Sequence, residues 1–122
     1  MKFITIILIS LLLILVGCSS SNYDSIFVDE FAMCIDDAGA VFYGAFWCPH
    51  CVDTKKSFGN SFQYITYVEC DPRGDDEQAE FCIEKKIEGY PTWEFQDGSR
   101  LEGELSFKTL SEKTGCSLPL KN

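Results

Sequence analysis

The sequence has few basic residues and a single histidine. Lysine and arginine number 10 against 19 aspartates and glutamates, which gives a formal net charge of −9 at pH 7. This excess of negative charge argues against binding to nucleic acid or to anionic lipid surfaces, because both are themselves negatively charged. With one histidine, His50, and two methionines, the chain also lacks the ligands that would accompany a copper site. A copper-binding role is therefore disfavoured.

The chain also lacks an apolar run long enough to cross a membrane as a helix. The segment Phe3–Val16 is almost wholly apolar, but it is shorter than the roughly 20 residues that a membrane-spanning helix needs. With Lys2 before it, the segment is typical of a secretory signal peptide. Leu15-Val16-Gly17-Cys18 resembles a bacterial lipobox, whose cysteine is lipidated and becomes the first mature residue.

This pattern predicts three segments and an exported, membrane-anchored lipoprotein. Residues 1–17 form the lipoprotein signal peptide, residues 18–23 hold the lipidated Cys18 and a short tether, and residues 24–122 form one domain. An ordinary signal peptide, or an uncleaved anchor in which Cys18 is incidental, are the alternatives. Neither repeats nor low-complexity linkers suggest a second domain.

The strongest chemical signal is Cys48-Pro49-His50-Cys51, directly after the apolar run Val41–Trp47. The run indicates a buried strand and the residues after it favour a helix, so the first sulfur lies at a helix N-terminus. There the unpaired backbone N–H groups and the helix dipole favour a thiolate, the species that attacks disulfides. Half of a zinc site and an inert disulfide are the alternatives. Zinc is disfavoured because a structural site usually needs a second close pair of ligands.

The remaining pattern predicts the order α-β-α-β-α-β-β-α. The first four predicted elements are a helix to Ala38, a strand Val41–Trp47, a helix Pro49–Gly59 and a strand Tyr64–Cys70. A helix Asp76–Lys86 follows, and then a hairpin of Thr92–Gln96 and Ser99–Gly103 with a primed turn at Asp97-Gly98. The last element is a helix from the Ser106 cap to Thr114. The predicted class is α/β, with one mixed sheet and helices on both faces.

A Cys-x-x-Cys motif at a helix start in this order of elements resembles the thioredoxin superfamily. Gly89-Tyr90-Pro91-Thr92 is a second signature, because thioredoxin-like proteins carry a cis-proline there that faces the active cysteines. The stretches Gly44–Cys51, Tyr67–Cys70 and Ile87–Trp93, with Cys82, are similar to the thioredoxin-like domain fused to bacterial and plant homologues of vitamin K epoxide reductase. This similarity covers about residues 25–116.

The resemblance implies a thioredoxin-like fold, a thiol–disulfide oxidoreductase without cofactor or metal, and a set of site residues. The implied catalytic residues are Cys48, Cys51, His50 and Pro91, and the implied substrate-binding residues are Trp47, Tyr90 and Thr92. We expect Cys48 to be exposed and to attack, and Cys51 to be more buried and to resolve the mixed disulfide. The resemblance further implies a structural disulfide between Cys70 and Cys82.

Three departures from the resemblance matter. Thioredoxin has a buried aspartate six residues before its first active cysteine, and this sequence has Phe42 there, so a proton acceptor for the buried cysteine is not evident. Cys34 and Cys116 have no counterpart in that branch; a disulfide between them and two free buried thiols are the alternatives. We also expect the lipid anchor to replace the fused membrane bundle.

The expected partners are cysteine-containing exported proteins and a membrane vitamin K epoxide reductase-like, or other quinone-linked, thiol oxidase. The direction of electron flow is open, because a reductase or an isomerase would use the same residues. A non-catalytic binder of copper or of a partner protein is the alternative from a different functional class.

Overall fold

The computed structural model describes residues 23–121 and contains four α-helices and four strands in that part of the chain. In chain order the elements are α1 (Ser25–Asp37), β1 (Val41–Gly44), α2 (Pro49–Phe58), a 3-10 helix (Gly59–Tyr64), β2 (Thr66–Glu69), α3 (Asp76–Glu84), β3 (Thr92–Glu94), β4 (Arg100–Glu102) and α4 (Phe107–Thr114). Polar side chains accept a backbone N–H at the starts of α1, α3 and α4, where Asp24, Asp75 and Ser106 are the N-caps.

The strands form one mixed sheet in the order β2-β1-β3-β4. β1 is parallel to β2, with Phe42 opposite Tyr67, and antiparallel to β3, with Phe42 opposite Trp93. β3 and β4 form the antiparallel hairpin. Because β1 and β2 are parallel, their carboxyl ends meet at one edge of the sheet, and the Cys-x-x-Cys motif follows β1 at that edge.

The two faces of the sheet pack against different helices because neighbouring strand residues point to opposite sides. Phe42 belongs to the larger apolar cluster, which also contains Ile35 from α1, Phe58 from α2 and Leu110 from α4. Its neighbour Tyr43 belongs to a smaller cluster with the Cys70 and Cys82 side chains on the α3 side. The predicted α/β class with helices on both faces is confirmed, and the architecture is consistent with a thioredoxin-like fold.

Several predicted strands are shorter in the structure. β1 ends at Gly44 rather than Trp47, because the chain turns after Ala45 and the Cys48 N–H donates to the Ala45 carbonyl at 3.1 Å. β2 begins at Thr66 rather than Tyr64, since Gly59–Tyr64 form a 3-10 helix that the sequence reading did not predict. The helix α3 is also shorter than predicted, since it ends at Glu84 rather than at Lys86.

The hairpin turn also differs from the prediction. A primed two-residue turn needs a positive φ at its first central residue, here Asp97, and its type I′ form needs one at both. Gly98 has a φ of 79°, whereas Asp97 is not among the positive-φ residues. The Gly98 N–H donates to the Phe95 carbonyl and the Phe95 N–H donates to the Ser99 carbonyl, which makes a longer turn with Gly98 in its left-handed position. The strands are accordingly reduced to Thr92–Glu94 and Arg100–Glu102.

The predicted signal peptide, Cys18 and most of the tether lie outside the described residues. Among residues 23–121, none of the helices combines the length and the apolar composition that crossing a bilayer requires.

Candidate active site

Cys48 and Cys51 carry free thiols at the start of α2. Cys48 is the N-cap residue, and its Sγ accepts the Cys51 backbone N–H at 3.3 Å. Pro49 takes the first helical position, where its missing N–H is not needed. The Cys48 sulfur therefore occupies the place of a capping oxygen, where helix N–H groups stabilise negative charge.

Cys48 is less accessible than the sequence predicted. It is 4% exposed, against 0% for Cys51, so the expected order of burial holds but the expectation of an exposed Cys48 is wrong. The reason is its capping role, which turns the sulfur toward the first turn of α2. Burial, followed by the hydrogen bond with Cys48, raises the pKa of the Cys51 thiol to about 12.

Trp47 is held beside the motif by a hydrogen bond. Its Nε1 donates to Asp71 Oδ2 at 2.6 Å, and its ring lies edge-on to Tyr90 with centroids 6.3 Å apart. Arg73 also donates to both carboxylate oxygens of Asp71. The bonds from Arg73, followed by that from Trp47, hold the pKa of Asp71 well below its usual range. Trp47 nevertheless remains 51% exposed, so it offers surface next to Cys48.

The loop before β3 contains the predicted proline. The Tyr90–Pro91 peptide bond is cis, the isomer that the resemblance implies. Thr92 was predicted to line the substrate groove, but its side chain is only 2% exposed and its hydroxyl donates to the Gly89 carbonyl at 2.7 Å. The Thr92 side chain thus fixes the turn that contains Tyr90 and the fully buried Pro91.

His50 lies on the outer side of α2, and its ring contacts an acidic residue. His50 Nδ1 is 3.5 Å from Glu104 Oε2. Possible ligand atoms of His50, Asp53 and Glu104 lie within 4.8 Å of one another, but all three residues are exposed. Exposed acidic groups often come together without an ion, and we assign no metal to this group.

A polar network close to the motif was not predicted from the sequence. The Tyr67 hydroxyl donates to Glu69 Oε2 at 2.7 Å, and the Asp71 N–H donates to Glu69 Oε1 at 2.9 Å. The Glu69 N–H donates to the Gln78 side chain of α3, which ties that helix to β2. The i, i+2 spacing of Tyr67 and Glu69 in a predicted strand put them on one face, and this signal could have suggested the pair.

The other four cysteines of the described residues form two disulfides. Cys70 is joined to Cys82 between the end of β2 and α3. Cys34, on α1, is joined to Cys116, which follows α4. Of the two alternatives for the latter pair, the structure thus has the disulfide. Both bridges are separate from Cys48 and Cys51.

Comparison with known proteins points to redox chemistry. No protein-family model matches the chain. A curated relative, the thiol-disulfide oxidoreductase LTO1 of Arabidopsis thaliana, is 38% identical over 106 residues. The chain is homologous to part of a thiol-disulfide oxidoreductase. The aligned region covers 84% of this chain but only 28% of the relative.

The homology and the fold together support a thioredoxin-like redox protein. The prediction of a relationship to thiol-disulfide oxidoreductases is confirmed over most of the chain. Because the chain spans 28% of the relative's length, the activity and partners of that whole protein remain proposals for this one.

Proposed function

We propose that this protein catalyses thiol–disulfide exchange with protein cysteines through Cys48 and Cys51. The observation that carries the proposal is the pair of free thiols at the N-terminus of α2, with Cys48 Sγ accepting a helix N–H. The cis-Pro91 loop and the homology to a thiol-disulfide oxidoreductase support it.

The exchange proceeds in two displacements. In the reducing direction the Cys48 thiolate attacks one sulfur of a partner disulfide, and the other partner sulfur leaves as a thiolate. Cys51, as a thiolate, then attacks the Cys48 sulfur and releases the second partner thiolate, which leaves a Cys48–Cys51 disulfide. Two electrons pass to the partner; the reverse sequence oxidises a partner dithiol.

The residues around the pair supply the remaining roles. His50 helps to stabilise the Cys48 thiolate and so favours the reduced form, which makes the protein more oxidising. The Pro49-His50 dipeptide is similar to that of a strongly oxidising member of the superfamily. Trp47 and Tyr90 border the cis-Pro91 loop, where an extended partner segment pairs with the backbone.

The proposed setting is the extracytoplasmic face of a membrane. The signal-peptide and lipobox pattern of residues 1–18 supports export and lipidation at Cys18. The similarity to the domain fused to vitamin K epoxide reductase homologues supports coupling to a membrane quinone-linked thiol oxidase. Cysteine-containing exported proteins are the proposed substrates.

Single cysteine variants test the catalytic assignment. Cys51→Ser should accumulate mixed disulfides with partner proteins because nothing resolves them, and Cys48→Ser should lose exchange in an insulin-reduction assay. Trapping by both variants to the same extent would contradict the assigned roles. A copper titration alongside the insulin assay separates the enzyme from a metal-binding protein, which would bind copper tightly and leave insulin unreduced.

The anchor is tested independently of catalysis. Cys18→Ala should block lipidation and leave unprocessed precursor, and globomycin should do the same to the unaltered protein. Cys34→Ala, which removes a cysteine without touching the lipobox, is the matched control. A mature protein that begins at another residue and fractionates away from membranes would rule out the lipoprotein.

A further inference from the structure

In the resolving step the Cys51 thiol has to lose its proton, and its burial in the fold disfavours the ionised form. Burial raises the pKa of Cys51 to about 12, so little thiolate forms at neutral pH. At the position where thioredoxin has a buried aspartate, this chain has Phe42, which is 0% exposed and packs against Trp93. A compensating group has to come from elsewhere in the structure.

Lys55 is the positive charge that faces Cys51. The two residues are four apart on α2, so their side chains share one face of the helix. Against the larger effect of burial, a hydrogen bond with the Ala45 backbone and then the Lys55 charge lower the pKa of Cys51, and Lys55 is the side chain that does so. The other titratable groups facing Cys51 are Cys48, Tyr67 on β2 and Tyr90 in the cis-proline loop, and their effects on the thiolate are unfavourable or neutral.

The ring of Tyr67 holds the lysine in place. Lys55 Nζ lies 3.8 Å from the centroid of that ring, a cation–π contact. The same ring borders Cys51, since Tyr67 Cε2 and Cys51 Sγ lie 3.2 and 2.9 Å from the position that a Cβ on Gly44 would occupy. The Tyr67 hydroxyl is fixed in turn by its bond to the buried Glu69 carboxylate. The ammonium and the sulfur therefore both lie close to one ring, which is held by its hydroxyl.

We propose that Lys55, positioned by the Tyr67 ring, stabilises the Cys51 thiolate during the resolving step. This inference rests on the proposed exchange function. The Cys51 proton leaves to solvent, the thiolate attacks the Cys48 sulfur of the mixed disulfide, and the Cys48–Cys51 bond forms as the bond from Cys48 to the partner sulfur breaks. The partner sulfur leaves with the electron pair as a thiolate, so the disulfide partner is the oxidant.

The two steps can be followed separately with the disulfide of thionitrobenzoate. Reduced protein releases one thionitrobenzoate when Cys48 attacks and a second when Cys51 resolves, so a stopped-flow trace has one phase for each cysteine. Lys55→Met, which keeps the length but removes the charge, should slow the second phase about three- to tenfold at pH 7. A rise of one unit in the pKa of Cys51 would reduce its thiolate fraction about tenfold at pH 7. The greater nucleophilicity of the less acidic thiol would recover part of the rate. The first phase should change much less.

Two further variants separate charge from packing. Lys55→Arg restores a cation that can lie over the ring, and should recover most of the rate. Lys56→Met removes an exposed charge from the neighbouring position, and should resolve almost as fast as the unaltered protein. If Lys55 acted only through packing, the second phase of Lys55→Arg would be as slow as that of Lys55→Met.

The outcomes distinguish this inference from the function on which it rests. A normal first phase with an unchanged second phase in Lys55→Met overturns the role of Lys55 and leaves the exchange function standing. Failure of Lys55→Arg to recover also overturns it. If the unaltered protein shows no rapid first phase, the proposed exchange function itself fails.

Discussion

At the scale of single residues, the site depends on the absence of a side chain at Gly44. Gly44 ends β1 and bonds through its carbonyl to the Cys70 N–H at 2.7 Å, so its backbone is fixed by the sheet. A Cβ there would lie 2.9 Å from Cys51 Sγ and 3.3 Å from Phe42 Cε1. The resolving sulfur thus fills the space that any other residue would occupy.

Gly44→Ala should therefore both destabilise the fold and disturb the resolving cysteine. Overpacking a dense interior costs about 1–3 kcal/mol, and here the sulfur and two rings must shift to make room. Urea denaturation of the reduced protein should show the loss of stability, and the second phase of thionitrobenzoate release should change. Gly89→Ala is the control, because its methyl group would meet only the Glu102 carboxylate, at 3.2 Å. Equal stability of the two variants would show that the space around Cys51 is not tight.

Local residue patterns predicted the two cysteines of the proposed reaction but not their surroundings. Cys48 and Cys51 are recognisable because a Cys-x-x-Cys motif at a strand–helix junction has its chemistry built into adjacent positions. The burial of Cys48 depends on the orientation of one sulfur in the folded chain, and the sequence gives no sign of it. Lys55 and Tyr67 are 12 positions apart and meet only because α2 packs beside β2.

At the scale of elements, helix starts were predicted better than strand ends. α2 starts at Pro49 and α3 at Asp76 as predicted, and Ser106 lies where the sequence expects an N-cap, because a capping side chain acts on N–H groups two or three positions away. The ends of β1 and β2 depend on pairing with distant strands instead. The apolar stretch Ala45–Trp47 is typical of a strand, yet it turns away from the sheet and connects β1 to Cys48 at the start of α2.

The element that departs from ordinary rules is α2. Its N-cap is a cysteine rather than serine, threonine, aspartate or asparagine, the residues that normally accept the first helix N–H groups. A sulfur is a weak acceptor as a thiol and a much better one as a thiolate. The local capping rule is thus broken at the residue that we propose attacks the partner disulfide.

At the scale of the whole molecule, the two disulfides found among residues 23–121 close loops of very different length. Cys70 and Cys82 are 12 positions apart and pin α3 to the end of β2, next to Asp71 and its bond to Trp47. Cys34 and Cys116 are 82 positions apart and tie α1 to the segment after α4. The loop closed by the long bridge contains all four strands of the sheet, whereas the short bridge lies beside Asp71 at the edge of the candidate site.

Removing each bridge should therefore have a different effect. In the loop-entropy model, closing the longer loop stabilises the fold by about 4–5 kcal/mol and the shorter one by about 3 kcal/mol. The pair Cys34→Ala, Cys116→Ala should then lose more stability in urea than the pair Cys70→Ala, Cys82→Ala. Both should keep thionitrobenzoate release by Cys48, because neither bridge includes a reacting sulfur.

The two bridges should also survive a reductant that opens the active pair. Structural disulfides of exported proteins have potentials below about −300 mV, well under those of exchanging pairs. Titration with dithiothreitol, an acid quench and peptide mapping should thus find Cys48–Cys51 reduced while Cys34–Cys116 and Cys70–Cys82 remain joined. Cys34 is the more exposed end of its bridge, since Cys116 is only 2% exposed, so the long bridge gives the stricter test. If it opens together with Cys48–Cys51, its potential is close to that of the active pair and it is not a purely structural link.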